Sequence, residues 1–367
     1  MTDNNRIASS EFSSRRGFLN AGIATFAFVL TCLGLNAILP FPEINIVASN
    51  LRFFKTHEAE FDTIFIGSSR IHHQISPAIF DQIMREHGHA TRSFNFGVNG
   101  MFPAECNYVL ERLLRAQPHH LKWVFIELDE LETRRFPGAE GSRRAIYWRD
   151  WKRTSLVLQK LLDTSGNGDG IISLGEISEV AAPKQIKSDK RDLLFFHLSL
   201  FGKNVTNVSR KIDVASWASR FGRTEKPSAT LGRNGDGYEA LAKERMTPAE
   251  LGRYEDLLNT ALSKTESRFV SAPTEETYRQ MAEGVRKAGA TPVFLMMPAI
   301  SQIKLGFGPA SGITGAVMSF NDIQAFPQLY RRELWGDAGH LNAVGAEEFT
   351  TVLAQNFSEL LNQHRIQ

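Results

Sequence analysis

The sequence predicts an α/β protein: a three-layer α/β/α domain on a flavodoxin-like parallel sheet, behind one N-terminal transmembrane helix and interrupted by a large insertion. Three observations carry that expectation. Short apolar runs alternate with helical patterns after about residue 60, which is the rhythm of βαβ units. An uncharged run of 23 residues, Gly17 to Leu39, precedes them. From about Thr133 to Val270 the rhythm is lost, and charge, glycine and aromatic residues mix without a period.

The apolar run comes first. At about 1.5 Å per residue, a helix of that length reaches roughly 34 Å, enough to cross a bilayer core. Arg6, Arg15 and Arg16 precede it and Pro40 and Pro42 follow, so the positive-inside rule places residues 1–16 in the cytoplasm and the bulk of the chain on the extracytoplasmic side. Ser14-Arg15-Arg16-Gly17-Phe18-Leu19 resembles a twin-arginine export signal. The best cleavage candidate, Val47-Ala48-Ser49, lies well past the apolar run, so a retained anchor at 17–39 is expected, followed by a linker at 40–60.

The domain elements follow in order. Thr63 to Ile66 reads as a strand ending at Gly67, and Pro77 to Glu86 as a helix with Ser76 at its N-cap and Gly88 closing it. Ser93 to Phe96 is a second strand, Pro103 to Gln117 a second helix, and Trp123 to Leu128 a third strand, apolar enough to be buried on both faces. Residues 61–132 thus form the first part of the domain and 133–270 the insertion. Residues 271–367 supply the second part, with a helix around Glu275 to Lys287, a strand at Pro292 to Met297 and a final helix from about Ala343 to Leu361.

Composition excludes several function classes. Lysine plus arginine total 42 against 40 aspartate plus glutamate, and a net charge of +2 supplies no field for nucleic acid. Of the two cysteines, Cys32 lies in the apolar run and is expected in lipid, so it cannot bridge to Cys106. Thiol chemistry and a structural zinc site fall away with that pair.

Sites in parallel α/β sheets form at the carboxyl ends of strands. Three such segments carry unusual residues: Gly67-Ser68-Ser69-Arg70, Asn95-Phe96-Gly97-Val98-Asn99-Gly100, and Asp337-Ala338-Gly339-His340-Leu341-Asn342 before the last helix. A serine hydroxyl needs a base to take its proton, and a histidine base needs a carboxylate to fix its tautomer. Asp337 and His340 stand three apart, so one turn presents both toward Ser69. The backbone N–H groups of Ser69 and Gly100 are then candidates to face a developing oxyanion.

Those three segments resemble blocks of the SGNH (GDSL-type) hydrolase superfamily, over Thr63 to Leu128 and Pro292 to Leu361. The resemblance implies Ser69 as nucleophile, Gly100 as the oxyanion glycine of the second block, and Asp337 and His340 as the final pair. Ser68 stands where that family has aspartate, a Gly-Ser-Ser form similar to DltD-like proteins, which are membrane-anchored, extracytoplasmic and engaged in acyl transfer. The third-block asparagine has no counterpart, because the third strand runs on as Glu127-Leu128-Asp129-Glu130. Asn99 or Arg70 would have to take over as third oxyanion donor.

The expectation is therefore an extracytoplasmic serine O-acyltransferase or esterase acting on a cell-envelope polysaccharide, requiring no cofactor. Its partners would be the bilayer through 17–39, the polysaccharide acceptor and, by the resemblance alone, a polytopic membrane acyltransferase. The rival expectation is a non-catalytic envelope protein that binds polysaccharide or that acyltransferase, to which the basic aromatic stretch Arg143 to Arg153 would contribute. A solvated helix with two tryptophans turned inward explains that stretch equally well. His72-His73, His87, His89 and His119-His120 lack metal spacing and read as surface histidines.

Inside the insertion, Ser165 to Glu176 follows an EF-hand loop at several ligand positions, Asn167, Asp169, the Ile171 carbonyl and Glu176, with Gly170 at the sharp turn. Its first position is Ser165 rather than aspartate, with Asp163 two residues earlier. A structural Ca²⁺ and a bare glycine-rich turn are the two readings.

Overall fold

The computed structural model of the chain describes residues 4–38, 44–116, 118–135, 142–163, 189–206, 231–232, 234–263, 266–300 and 303–365. Its centre is a parallel sheet of five strands: β1 (Thr63–Gly67), β2 (Ser93–Gly97), β3 (Trp123–Glu127), β5 (Thr291–Met296) and β7 (Ala316–Ser319). Their order is β2-β1-β3-β5-β7, the doubly wound 2-1-3-4-5 arrangement of flavodoxin-like sheets. Ile66 pairs with both Phe96 and Ile126, and Gly67 with Gly97, so β1, β2 and β3 end flush and their following loops leave from one edge.

Alternation along the strands divides the core in two, because successive side chains point to opposite faces of a sheet. Ile64, Ile66, Phe94, Phe96, Val124 and Ile126 pack with α2 (Asn45–His57), α5 (Pro103–Leu114) and, through Tyr278, Met281 and Val285, α10 (Ala272–Lys287). Phe65, Phe125, Val293 and Leu295 face the other way, onto α3 (Ser69–Gln74), α4 (Pro77–Glu86) and α11 (Ala343–Asn362). Helices therefore cover both faces. That is why these strands are apolar almost throughout.

One helix, α1 (Asn4–Ile38), contains a stretch, Arg16–Leu35, long and apolar enough to cross a membrane. Phe18, Leu19, Ile23, Phe26 and Leu33 on it are exposed. Cys32, expected in lipid, is buried in the structure, and α1 also touches α8 (Lys190–Val205).

Several boundaries are corrected. The expected linker at 40–60 holds α2 and a 3-10 turn at Glu58–Glu60; Val47 and Phe54 of α2 are core residues, which a linker would not supply. The cleavage candidate Val47-Ala48-Ser49 therefore lies inside a packed helix. Helix α5 stops at Leu114, three residues early, and Ser76 occupies the N-cap of α4 without a side-chain capping bond.

Much of the described part of 133–270 is helical, and it is built into the domain. It contains α6 (Arg143–Tyr147), α7 (Trp151–Leu162), α8 and α9 (Pro248–Ser263), whose Tyr254 joins the second core. The segment near Asp236 runs along the β2 edge, its carbonyl accepting from the Asn95 N–H at 2.8 Å. β4 (Glu266–Phe269) pairs with β6 (Ile303–Gly306) in a separate two-stranded ribbon. A last hairpin, β8 (Trp335–Asp337) and β9 (His340–Leu341), precedes α11.

Candidate active site

Ser69 is the first residue of α3, immediately after β1, and Ser68 is the N-cap. The Ser68 hydroxyl accepts from the Arg70 N–H at 3.2 Å and donates to Glu127 Oε1 at 3.0 Å; the Ser68 N–H also donates to Glu127. The Ser69 N–H, at the first helical position, has no intrahelical acceptor and is left for something outside the helix.

Two glycines allow the turn to be this close. A β-carbon on Gly67 would lie 2.4 Å from Glu127 Oε2, and one on Gly97 would lie 2.2 Å from the His72 backbone nitrogen. Asn95 completes the support: its amide donates to the Ile71 and Ile75 carbonyls at 2.7 Å, while its Oδ1 accepts from the Gly97 N–H. The end of α3 is thus tied to the edge strand β2.

Asp337 and His340 arrive on the β8–β9 hairpin. Trp335, fully buried, anchors that hairpin by donating to the Leu329 carbonyl, and Asn342 caps α11 while its amide holds the Glu244 and Glu333 carbonyls. His340 Nδ1 lies 3.0 Å from Asp337 Oδ1 and 3.1 Å from Oδ2, and Nε2 lies 2.8 Å from Ser69 Oγ. A carboxylate only accepts, so Nδ1 carries the proton and Nε2 presents its lone pair to the serine hydroxyl. Burial works against the Asp337 charge, but the hydrogen bond and attraction from His340 outweigh it and hold the carboxyl below its ordinary range. The three residues singled out in the sequence are therefore brought together, in the relay that serine activation needs.

Ser69 and His340 open onto a cavity of about 440 Å³. Met101, Phe102, Pro103, Trp148, Phe196 and Leu200 supply an apolar wall. Gly100 and Arg70 line the same cavity. Gly100 has a φ of 68°, a left-handed conformation that glycine adopts without strain. Arg70 is buried with its guanidinium on two carboxylates, Glu127 at 2.9 Å and Asp129 at 3.1 Å. Asn99 is exposed, its carbonyl accepts from Arg144, and its side chain is not among those forming the cavity wall.

Several participants were not legible as such. Glu127 and Asp129 stand where an asparagine was missed, and they form the floor beneath the serine turn. Burial, outweighing the attraction of Arg70, raises the Asp129 carboxyl to about 6. Arg144 and Arg149, read as part of a surface stretch, line the cavity; Tyr147 and Trp148 are buried and only Trp151 is exposed. His72 is fully buried and His73 half-buried, with the His73 ring 6.3 Å from His340. Burial pulls His73 down to about 4. The surface reading holds for His87, His119 and His120, which are exposed, and His89 is half-buried.

Asp163 closes α7 at its C-cap. Ser165, Asn167, Asp169, Ile171 and Glu176 lie outside the described residues. A scan against protein-family models and a search of curated proteins give no match to this chain.

Proposed function

We propose that this chain is a membrane-anchored, SGNH-like serine O-acyltransferase or esterase, working on a cell-envelope polysaccharide from the extracytoplasmic side. The observation that carries the reading is the continuous relay from Asp337 through His340 to Ser69 at the carboxyl ends of the first three strands, where β1 is flanked by β2 and β3 and the winding of the sheet reverses. The Gly-Ser-Ser turn and the single N-terminal helix support the DltD-like resemblance and with it acyl transfer.

In this mechanism Ser69 Oγ attacks an acyl carbonyl while His340 Nε2 takes the hydroxyl proton. Asp337 keeps the imidazole in the reactive tautomer and steadies the imidazolium. The Ser69 and Gly100 N–H groups hold the oxyanion. His340 returns the proton to the leaving alkoxide, which departs and leaves an acyl-Ser69 ester. Attack by a sugar hydroxyl, deprotonated by His340, completes transfer; attack by water completes hydrolysis. A polytopic membrane acyltransferase would deliver the acyl donor.

A fluorophosphonate probe tests the chemistry, since only an activated serine reacts. Labelling of the wild type and none of Ser69→Ala is the expected outcome; an unlabelled wild type would return the fold to a binding role. Protease added outside intact spheroplasts should remove nearly all of the chain beyond α1, and full protection would overturn the localisation.

A further inference from the structure

Four arginines line the cavity beside Ser69, and three of them contact a carboxylate: Arg70 with Glu127 and Asp129, Arg134 with Glu132 at 2.7 Å, and Arg144 with Glu105 at 3.0 Å. Arg149 is the exception. It is 7 % exposed, its guanidinium carbon stacks 3.8 Å from the centre of the Trp148 ring, and its Nε is buried with no hydrogen-bond partner. Among the described residues its one side-chain hydrogen bond runs from Nη1 to His197 Nδ1, at 2.6 Å.

That partner carries no charge. His197 Nε2 lies 2.9 Å from the Thr133 carbonyl, which only accepts, so Nε2 holds the ring proton and Nδ1 offers a lone pair to the guanidinium. Burial first, and then repulsion from Arg149, push the imidazolium form down to about 4, so the ring is neutral near pH 7. Burial also lowers Arg149 itself, to about 9, with Glu105 and Glu132 offsetting only part of that effect. Arg149 remains a cation whose direct contacts are a neutral ring and an indole face.

A buried charge left without a counterion is costly, and such costs persist in folds where function requires them. A planar guanidinium matches a carboxylate through parallel N–H donors. We propose that Arg149 is the anion-docking residue of this cavity, and that the substrate carries a carboxylate that settles there while its ester carbonyl meets Ser69. The inference rests on the proposed serine chemistry for the ester and on Arg149 alone for the anion. Two sources present that chemistry, a dicarboxylic hemiester as the acyl group and an acidic sugar as the acceptor.

Ser69→Ala full-length protein in detergent, which cannot turn over, is titrated calorimetrically with succinate, glucuronate, their neutral counterparts succinamide and glucose, and inorganic phosphate. At least one carboxylate should bind tenfold or more tightly than its neutral counterpart, succinate marking the acyl source and glucuronate the acceptor source. Adding Arg149→Gln should weaken that carboxylate tenfold or more, and Arg149→Lys, which keeps the charge without the fork, should fall between. Melting of the unliganded Arg149→Gln protein at or above the parent temperature is also expected, because an uncompensated charge has been removed.

Carboxylates binding no better than the neutral molecules, phosphate alone binding, or an Arg149→Lys affinity equal to the parent would each overturn the proposal. Because no turnover is needed, a wild type that resists fluorophosphonate but binds the carboxylate through Arg149 sinks the catalytic reading alone. Labelling without carboxylate binding sinks the anion site alone.

Discussion

Glu127 stands directly beneath Ser68, accepting from both its hydroxyl and its backbone N–H, and it shares the Arg70 guanidinium with Asp129. The turn that carries Ser69 is therefore seated on a buried ion pair that joins α3 to the end of β3. Removing one member of such a pair leaves the other uncompensated, at a cost of about 3–5 kcal/mol. Glu127→Ala should approach that loss in urea unfolding, reduced by what Asp129 still gives Arg70, and Glu127→Gln should lose less. A midpoint unchanged in Glu127→Ala would show that the seat contributes nothing.

The two adjacent serines should separate cleanly. Ser69→Ala and His340→Ala should abolish fluorophosphonate labelling in folded protein, while Asp337→Asn should slow it by about 10³–10⁴-fold through the wrong histidine tautomer. Ser68→Ala removes a cap and a bond to Glu127, so its cost should be about 0.5–2 kcal/mol of stability with labelling retained. Labelling rates measured beside circular dichroism decide the point, and a fully reactive Ser69→Ala would end the assignment.

Gly97 and Gly88 make a second contrast. A methyl group at Gly97 meets the His72 backbone, so Gly97→Ala should displace α3, cost roughly 1–3 kcal/mol and suppress labelling. Gly88, with a φ of 86° and open space around it at the end of α4, should cost about 1–2 kcal/mol on replacement by alanine and leave labelling intact. Equal labelling in the two variants would refute the close approach as the reason for Gly97.

Acid should destabilise this protein before any carboxylate pair titrates. His73 and His197, both at about 4, and His72, also lowered, are neutral in the folded state where an unfolded histidine takes a proton near 6.5. Their contribution is complete above pH 6.5 and is lost as pH falls toward 4, with a limiting slope of about 1.4 kcal/mol per pH unit for each. Asp129, raised to about 6, and Asp81 and Asp236, also raised by burial, act in the opposite sense, since their protonation on acidification relieves a buried charge. The unfolded histidines take their protons first as pH falls, so urea stability should begin to fall below pH 6.5. His197→Gln should flatten that fall, and an unchanged slope would count against the neutral ring.

The elements most legible in the sequence are those whose period reports burial. α4 matches its expected ends, and β1 to β3 differ from theirs by one residue, because a strand buried on both faces and a helix opened by Ser76-Pro77 leave unambiguous composition. β7 escaped notice because Ala316–Ser319 is a short edge strand with Val317 exposed, and α2 because its amphipathic stretch follows two prolines. At the site, Ser69, Asp337 and His340 were readable from spacing and strand context. Glu127, Asp129 and Arg149 were not, since their roles depend on which strand lies beside which and on what each charge meets when buried.

The Ser69–His340 contact closes across 271 residues of chain. At about 5–20 residues per second of synthesis, Ser69 leaves the ribosome roughly 14–54 s before His340. Through that interval the serine has no imidazole beside it, and every chain terminated before His340 carries Ser69 without that partner. On the proposed chemistry, reactivity would thus be coupled to completion: the hairpin that carries His340 packs on α3, and the last helix packs against α3 and α4. On that reading, a chain that stops short of His340 would be chemically silent.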